Sequence, residues 1–322
     1  MPRALVTGGA GFIGSHLVDR LLAENFSVRV LDDFSSGHEA NLTQARGVIE
    51  LLHGDIRDSA LVAAAVDGVD VVFHEAAIAS VVRSIEEPER TNAVNLDGTL
   101  QLLCAARAAG VRRVVCAVSS AVYGNAEERP KREESLPNPL SPYAFQKYAV
   151  EVYSRLFTEL YGLETVCLRY FNVYGPRQDP KSEYAAVVPR FLAACLAEES
   201  PHIFGDGEQT RDFVFVDDVV EANWLAARAP GAVGLALNVA SGRETSLNQL
   251  FEVIQELLDS KLVPVHEPPR VGDVRRSVAS LERTSRALGY VPRTDLRQGL
   301  ARTLESLRSW ATPMTKKRGT AA

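Results

Sequence analysis

Short, almost continuously apolar runs alternate with longer helical patterns through the first half of the chain. Residues 3–7, 27–31, 48–53, 69–74, 113–119 and 164–171 read as strands of the kind buried on both faces of a parallel sheet. Between them, residues 12–24, 59–66, 89–109 and 142–161 read as helices. Strand and helix in turn imply right-handed βαβ units, and hence an α/β fold with a doubly wound parallel sheet of the Rossmann type.

After Asn172 the pattern changes. Gly175-Pro176, Asp179-Pro180, Gly205-Asp206-Gly207 and Pro268-Pro269 break the chain into loops and shorter elements. Residues 1–171 are therefore expected to form the first domain. Residues 172–212 and 241–311 are expected to form a smaller, mainly helical domain over the sheet edge. Residues 213–216 and 235–239 are expected to return to the sheet, so the boundary is interleaved, with 213–240 belonging to the first domain. The stretch from Thr312 reads as a frayed, solvated end.

Composition narrows the class of function. The 322 residues are 46% hydrophobic and 24% charged, which fits neither a disordered nor a membrane-spanning chain. Lys plus Arg number 35 against 41 Asp plus Glu, a formal net charge of −6. That balance argues against nucleic acid as a partner but leaves room for a local anion pocket. Cys104, Cys116, Cys167 and Cys195 lie in apolar contexts with no metal-ligand spacing, and read as reduced core residues of a cytoplasmic protein. No signal peptide, no spanning segment and no metal site is expected.

The glycine run Gly8-Gly9-Ala10-Gly11-Phe12-Ile13-Gly14 lies between the first strand and the first helix. Gly8 suits a tight turn, Gly11 leaves room for a diphosphate, and Gly14 lets helix pack on strand, with the helix amides facing the anion. Asp32 follows at the end of the second strand, where it can accept from both hydroxyls of an adenosine ribose and repel a 2′-phosphate. That favours NAD over NADP. Asp33 is placed to share the role, and Asp55-Ile56 follows the third strand where an adenine would rest.

Tyr143 and Lys147 stand four residues apart on one helix face. A tyrosine acting as a base near neutrality must lose about three pKa units, and a neighbouring cation such as Lys147 or an oxidised nicotinamide ring has the sign to cause that. Ser119 ends a central strand, where open α/β sheets bind ligands, and is expected to bond the reacting oxygen, with Ser120 beside it.

On these residues the chain resembles the extended short-chain dehydrogenase/reductases, and within them the NAD-dependent nucleotide-sugar epimerase/dehydratase group. The likeness runs from Leu5 to about residue 308, and it also rests on Asn95-Leu-Asp-Gly-Thr99, on Arg169 to Arg177, on Thr210-Arg211-Asp212-Phe213 and on Arg270-Val-Gly-Asp273. It implies that Phe12, Ile13, Ser36, Gly37, Ala76, Ala77, Asn95 and Tyr170 border the cofactor. It implies that Asn172, Ala186, Val187 and Asp273 meet the substrate, and that Arg211 and Arg270 clasp its diphosphate. The segment 178–189 would wrap the nucleotide base. Where galactose-specific relatives carry a Lys the chain has Ala79, with Ser80 and Ser84 nearby.

The resemblance also implies a reaction. Tyr143 would remove the proton of a sugar 4-hydroxyl while hydride passes to NAD, and hydride would return to the other face of the 4-keto sugar. Ser119 would steady the oxygen, and Lys147 would also hold the nicotinamide ribose. Dehydratases of the group carry an Asp-Glu pair, and decarboxylases a Glu, where this chain has Ser120 and Ala121. Ser277 stands where enzymes confined to glucose and galactose carry a bulky Tyr, which leaves volume for an acetamido group. The reading is thus a homodimeric 4-epimerase with tightly bound NAD, acting on UDP-N-acetylglucosamine and also on UDP-glucose. A dehydratase, a reductase or a non-catalytic nicotinamide sensor are the alternatives.

Overall fold

The structure, a computed structural model, describes residues 1–180, 186–269 and 274–311. The strands of the first half are β1 (Arg3–Thr7), β2 (Ser27–Asp32), β3 (Glu50–His53), β4 (Val71–His74), β5 (Arg113–Ser119) and β6 (Glu164–Tyr170). They are followed by β7 (Asn172–Tyr174), β8 (His202–Phe204), β9 (Thr210–Arg211), β10 (Phe213–Phe215), β11 (Ala236–Val239), β12 (Thr245–Ser246) and β13 (Val265–Glu267). One seven-stranded parallel sheet runs β3-β2-β1-β4-β5-β6-β11. The chain moves outward from β1 to β3 and then crosses to β4 on the other side. A crevice therefore opens at the carboxyl ends of β1 and β4.

The helices are α1 (Phe12–Ala23), α2 (Ser59–Val66), α3 (Val81–Glu86), α4 (Pro88–Asn92), α5 (Gly98–Ala108), α6 (Pro142–Tyr161) and α7 (Val187–Leu196), then α8 (Val216–Ala226), α9 (Leu247–Leu258), α10 (Glu282–Leu288) and α11 (Leu296–Ala311). Alternation along β1 sends Ala4 and Val6 into a core with Leu17, Leu21, Val219 and Trp224, and Leu5 into the opposite core with Val62, Leu102 and Val150. The helix α6 starts where the Ser141 side chain accepts from the Ala144 amide and Pro142 takes the first turn. It stops at Gly162, whose φ of +74° is the left-handed cap.

Three expectations need correction. The strand around residue 48 begins only at Glu50 and is an exposed edge, because β3 has a single neighbour. The helix expected over 89–109 is interrupted by a π-helical turn at Ala93–Asp97 between α4 and α5. Residues 213–216 do not rejoin the sheet: β10 pairs with β7, and it is α8 and β11 that return. In addition, Cys104 is exposed on α5 rather than buried, while Cys116, Cys167 and Cys195 are in the core.

Residues outside the sheet have their own apolar core, built on Tyr174, Phe191, Phe213, Phe215, Leu250 and Leu300. Arg177 bridges the two parts by pairing with Asp19 of α1 at 2.6 Å. Among the described residues, no helix is long and apolar enough to cross a membrane.

Candidate active site

A cleft of about 600 Å³ opens at the carboxyl ends of β1, β2 and β4. Its walls include Gly8, Gly11, Phe12, Ile13, Gly14, Asp32, Asp33, Ser36, Asp55, Ile56, Ala76 and Ala77. The glycines are needed sterically. Gly8 has φ +70°, and a Cβ there would lie 2.7 Å from the Ala76 amide nitrogen; a Cβ at Gly14 would lie 2.1 Å from the Gly8 carbonyl oxygen. Gly11 caps α1 with no side chain bonded to the first-turn amides, which leaves them for an anion.

Asp32 is buried and held in place, accepting from the amides of Ala10 and Phe34, each at 2.8 Å. Each of its oxygens keeps a lone pair for a ribose hydroxyl. Burial pushes its carboxyl up, and the two amides pull it back. Gly37 is buried against it. Asp33 is exposed and bonds Ser35, whereas Asp55 is drawn down by an ion pair with Arg57 at 2.6 Å. This cradle fits a dinucleotide: a diphosphate on the glycine turn, with the adenosine toward β2.

The other half of the site lies toward β5 and β6. Ser119 ends β5, its hydroxyl accepting from the Ala121 amide at 3.1 Å and lying close enough to the Tyr143 phenol to pull its pKa down. Ser120 opens the 3₁₀ turn after it. Lys147, one turn further along α6, donates to the Ala117 carbonyl of β5 at 2.8 Å. The three residues are thus brought together. The expected lowering of the Tyr143 pKa is not supplied by the chain itself: burial pushes the phenol up, the Glu75 carboxylate adds to that, and Ser119 opposes it. Burial lowers Lys147 at the same time.

The loop after β4 contains the residue that sequence reasoning missed. Glu75 lines the cleft and accepts from the Tyr170 hydroxyl at 2.7 Å, and Asn223 of α8 donates to that hydroxyl at 2.6 Å. Burial pushes the Glu75 carboxyl up to about 7, against the pull of Tyr170 and Lys147. The available signal was a carboxylate placed directly after an apolar strand in His74-Glu75-Ala76-Ala77. Its neighbour His74 points the other way, between Thr7 and Thr99, and burial pulls it down to about 3.

Asn95 serves as a brace for this loop: 1% exposed, it bonds the Ile78 amide and carbonyl and Gln146. The wide π turn carries it, as such turns often do at functional sites. Ser80 caps α3, and Ser84 bonds the Val81 carbonyl, so both hydroxyls have local partners. Ala79 and Arg83 both line the cleft.

On the smaller lobe, Arg211 is half-buried and donates to the carbonyls of Thr210 and Val274 at 2.7 and 2.6 Å. Asp212 accepts from Ser241, Gly242 and Ala279. Ala186 reaches the cleft wall, Val187 opens α7, Asn172 opens β7, and Ser277 is half-buried. Arg270 and Asp273, residues 181–185 of the segment 178–189, and the end from Thr312 lie outside the described residues. Among the described residues, no group of three or more His, Cys, Asp or Glu could hold a metal ion.

Comparison with known proteins gives a consistent family. A model of the "NAD dependent epimerase/dehydratase family" matches residues 4–240. The chain is 45% identical to a UDP-glucose 4-epimerase of Mycolicibacterium smegmatis, over 95% of its length and 99% of the relative's. Two solved structures superpose with TM-scores of 0.92 at 40% identity, covering 96% of this chain and 99% of theirs. They are a Thermotoga maritima UDP-glucose 4-epimerase with UDP-glucose, and a Methanobrevibacter ruminantium UDP-N-acetylglucosamine 4-epimerase in complex with UDP-N-acetylmuramic acid. The family is not confined to epimerases. A Streptomyces venezuelae dTDP-glucose 4,6-dehydratase with NAD bound is 34% identical, covers 97% of this chain and 100% of its own, and has a TM-score of 0.88.

Proposed function

The chain belongs to the NAD dependent epimerase/dehydratase family, and from that premise we propose that it is a UDP-sugar 4-epimerase working on UDP-N-acetylglucosamine and its 4-epimer, with UDP-glucose and UDP-galactose as further substrates. NAD is the cofactor. When bound, it supplies the acceptor and donor of hydride at C4 and a positive charge at the end of the cleft where Tyr143 lies. The residues that would hold it are the Gly8 to Gly14 turn, Asp32 and Lys147.

Tyr143 takes the 4-hydroxyl proton and later returns it, and Ser119 steadies the same oxygen through both halves of the reaction. The observation that carries the reading is the convergence of Ser119, Tyr143 and Lys147 at the end of β5, with Lys147 bonded to the Ala117 carbonyl and with Ser120 and Ala121 where a dehydratase or decarboxylase would need an acid. The small Ser277 supports room for an acetamido group, and Arg211 with Arg270 is the proposed diphosphate clasp. The apolar stripes of residues 89–109 and 142–161 would form the two-fold contact of a homodimer, which sedimentation would test.

Incubation of the purified protein with UDP-N-acetylglucosamine and with UDP-glucose, without added reductant, should give the 4-epimer of at least one by proton NMR. Formation of a 4-keto-6-deoxy sugar in its place would assign the chain to the dehydratases.

A further inference from the structure

Glu75 has no part in the reaction as described, yet its position is built. It leaves the carboxyl end of β4 beside the Gly8 turn, and its backbone amide bonds the Thr7 carbonyl at 3.1 Å. Its side chain crosses toward β6, where a chain of donors runs from Asn223 of α8 through the Tyr170 hydroxyl to its Oε1. The adenosine half of the cofactor belongs toward β2, where Asp32 lies. The nicotinamide half therefore runs the other way from the glycine turn, past β4 toward Ser119, Tyr143 and Lys147. That orientation rests on the roles assigned above to those three residues.

Glu75 thus lies at the end of the cleft that takes a ring which is positive when oxidised and neutral when reduced. Opposite charges in a partly buried site attract more strongly than in open water, and a neutral ring gains nothing comparable. We propose that Glu75 biases the bound nicotinamide toward its oxidised form, so that the resting enzyme is ready to accept hydride from its substrate. The Tyr170 hydroxyl holds the carboxylate in place for this purpose.

The bias follows the charge of Glu75, which burial lets titrate near neutrality. The other titratable groups facing it are Tyr170 of β6, Tyr143 and Lys147 of α6 and Cys116 of β5. Burial pushes both tyrosines up and out of the range of interest. Lys147 moves down and is the group that could imitate the effect, so the test must separate the two.

Competition of NADH against NAD on the full chain, read by the fluorescence of bound NADH, gives the ratio of their dissociation constants. In the wild type the preference for NAD should be about tenfold greater at pH 8.5 than at pH 6.0, the effect of roughly one pKa unit of coupling. Glu75→Gln should show the same ratio at both pH values, near the wild-type ratio at pH 6.0. Tyr170→Phe keeps the carboxylate but removes its donor, and should move the wild-type transition to higher pH. A Glu75→Gln protein that retained the wild-type pH dependence, or a wild type with one ratio at both pH values, would overturn the proposal. No sugar is present, so a chain that showed this ratio but made no epimer would refute the reaction and not the role of Glu75.

Discussion

The two ends of the cleft are built by different means. At the β2 end the chain presents backbone: first-turn amides of α1, a glycine turn too crowded for any Cβ, and a carboxylate held by two amides. At the β6 end it presents side chains from separate elements, with Ser119 from β5, Tyr143 and Lys147 from α6, Glu75 from the loop after β4 and Tyr170 from β6. In the proposed function, the first end would be a mould for a diphosphate and a ribose that stay unchanged. The second is an electrostatic balance, in which burial keeps the phenol protonated and a nearby carboxylate reinforces that tendency. Binding can be left to fixed amides, but proton transfer requires groups whose charge changes.

The contrast predicts that substitution of the proton-transfer groups at the β6 end lowers turnover while sparing the cofactor, and that substitutions at the β2 end weaken the cofactor. The largest effect should come from Tyr143→Phe, with kcat for epimer formation falling by about 10²–10⁴ while NAD is retained, as judged by absorbance of the purified protein. Retention of most of the rate would refute the base assignment. Asp32→Ala should weaken NAD by about 10–100-fold in a binding titration, the worth of hydrogen bonds to a charged group, and relax discrimination against NADP. Ser277→Tyr should lower kcat/KM for UDP-N-acetylglucosamine at least about tenfold relative to UDP-glucose; an unchanged ratio would remove Ser277 from the sugar pocket.

The last effect is on stability. A carboxyl raised in the folded state loses stability as pH rises from its unfolded value through its folded value, here from the ordinary carboxylate range to about 7. Glu75→Gln should therefore stabilise the protein by up to about 3 kcal/mol at pH 8 in denaturant titrations, and by nothing at pH 4. His74 acts in the opposite direction: held neutral, it costs stability as pH falls below its ordinary value toward about 3.

The same contrast explains what was legible in the sequence. The β2 end was readable because its constraints are local: Gly8, Gly11, Gly14 and Asp32 follow one strand and one helix in order, and their spacing is the geometry. The sheet was readable for the same reason, since β1, β5, α2 and α6 are marked by apolar runs, caps and Gly162. Glu75 was not, because its meaning depends on Tyr170 and Asn223, which are 95 and 148 positions away in the chain. Asn95, expected near the cofactor, braces the cleft-lining loop at Ile78, and the π turn that places it has no signature in the run 89–109. The strand β10 went to β7, a choice settled by the second apolar core around Tyr174 and Phe215 rather than by its own sequence.

The most direct test of the account follows the hydrogen at C4. Purified protein is incubated with UDP-N-acetylglucosamine deuterated at C4, without added cofactor, and the products are examined by NMR and mass spectrometry. The account predicts a 4-epimer that keeps the deuterium at C4, because the hydride taken from one face is returned to the other within the same site. Deuterium found at C6, released in free NADH or exchanged with solvent would contradict it.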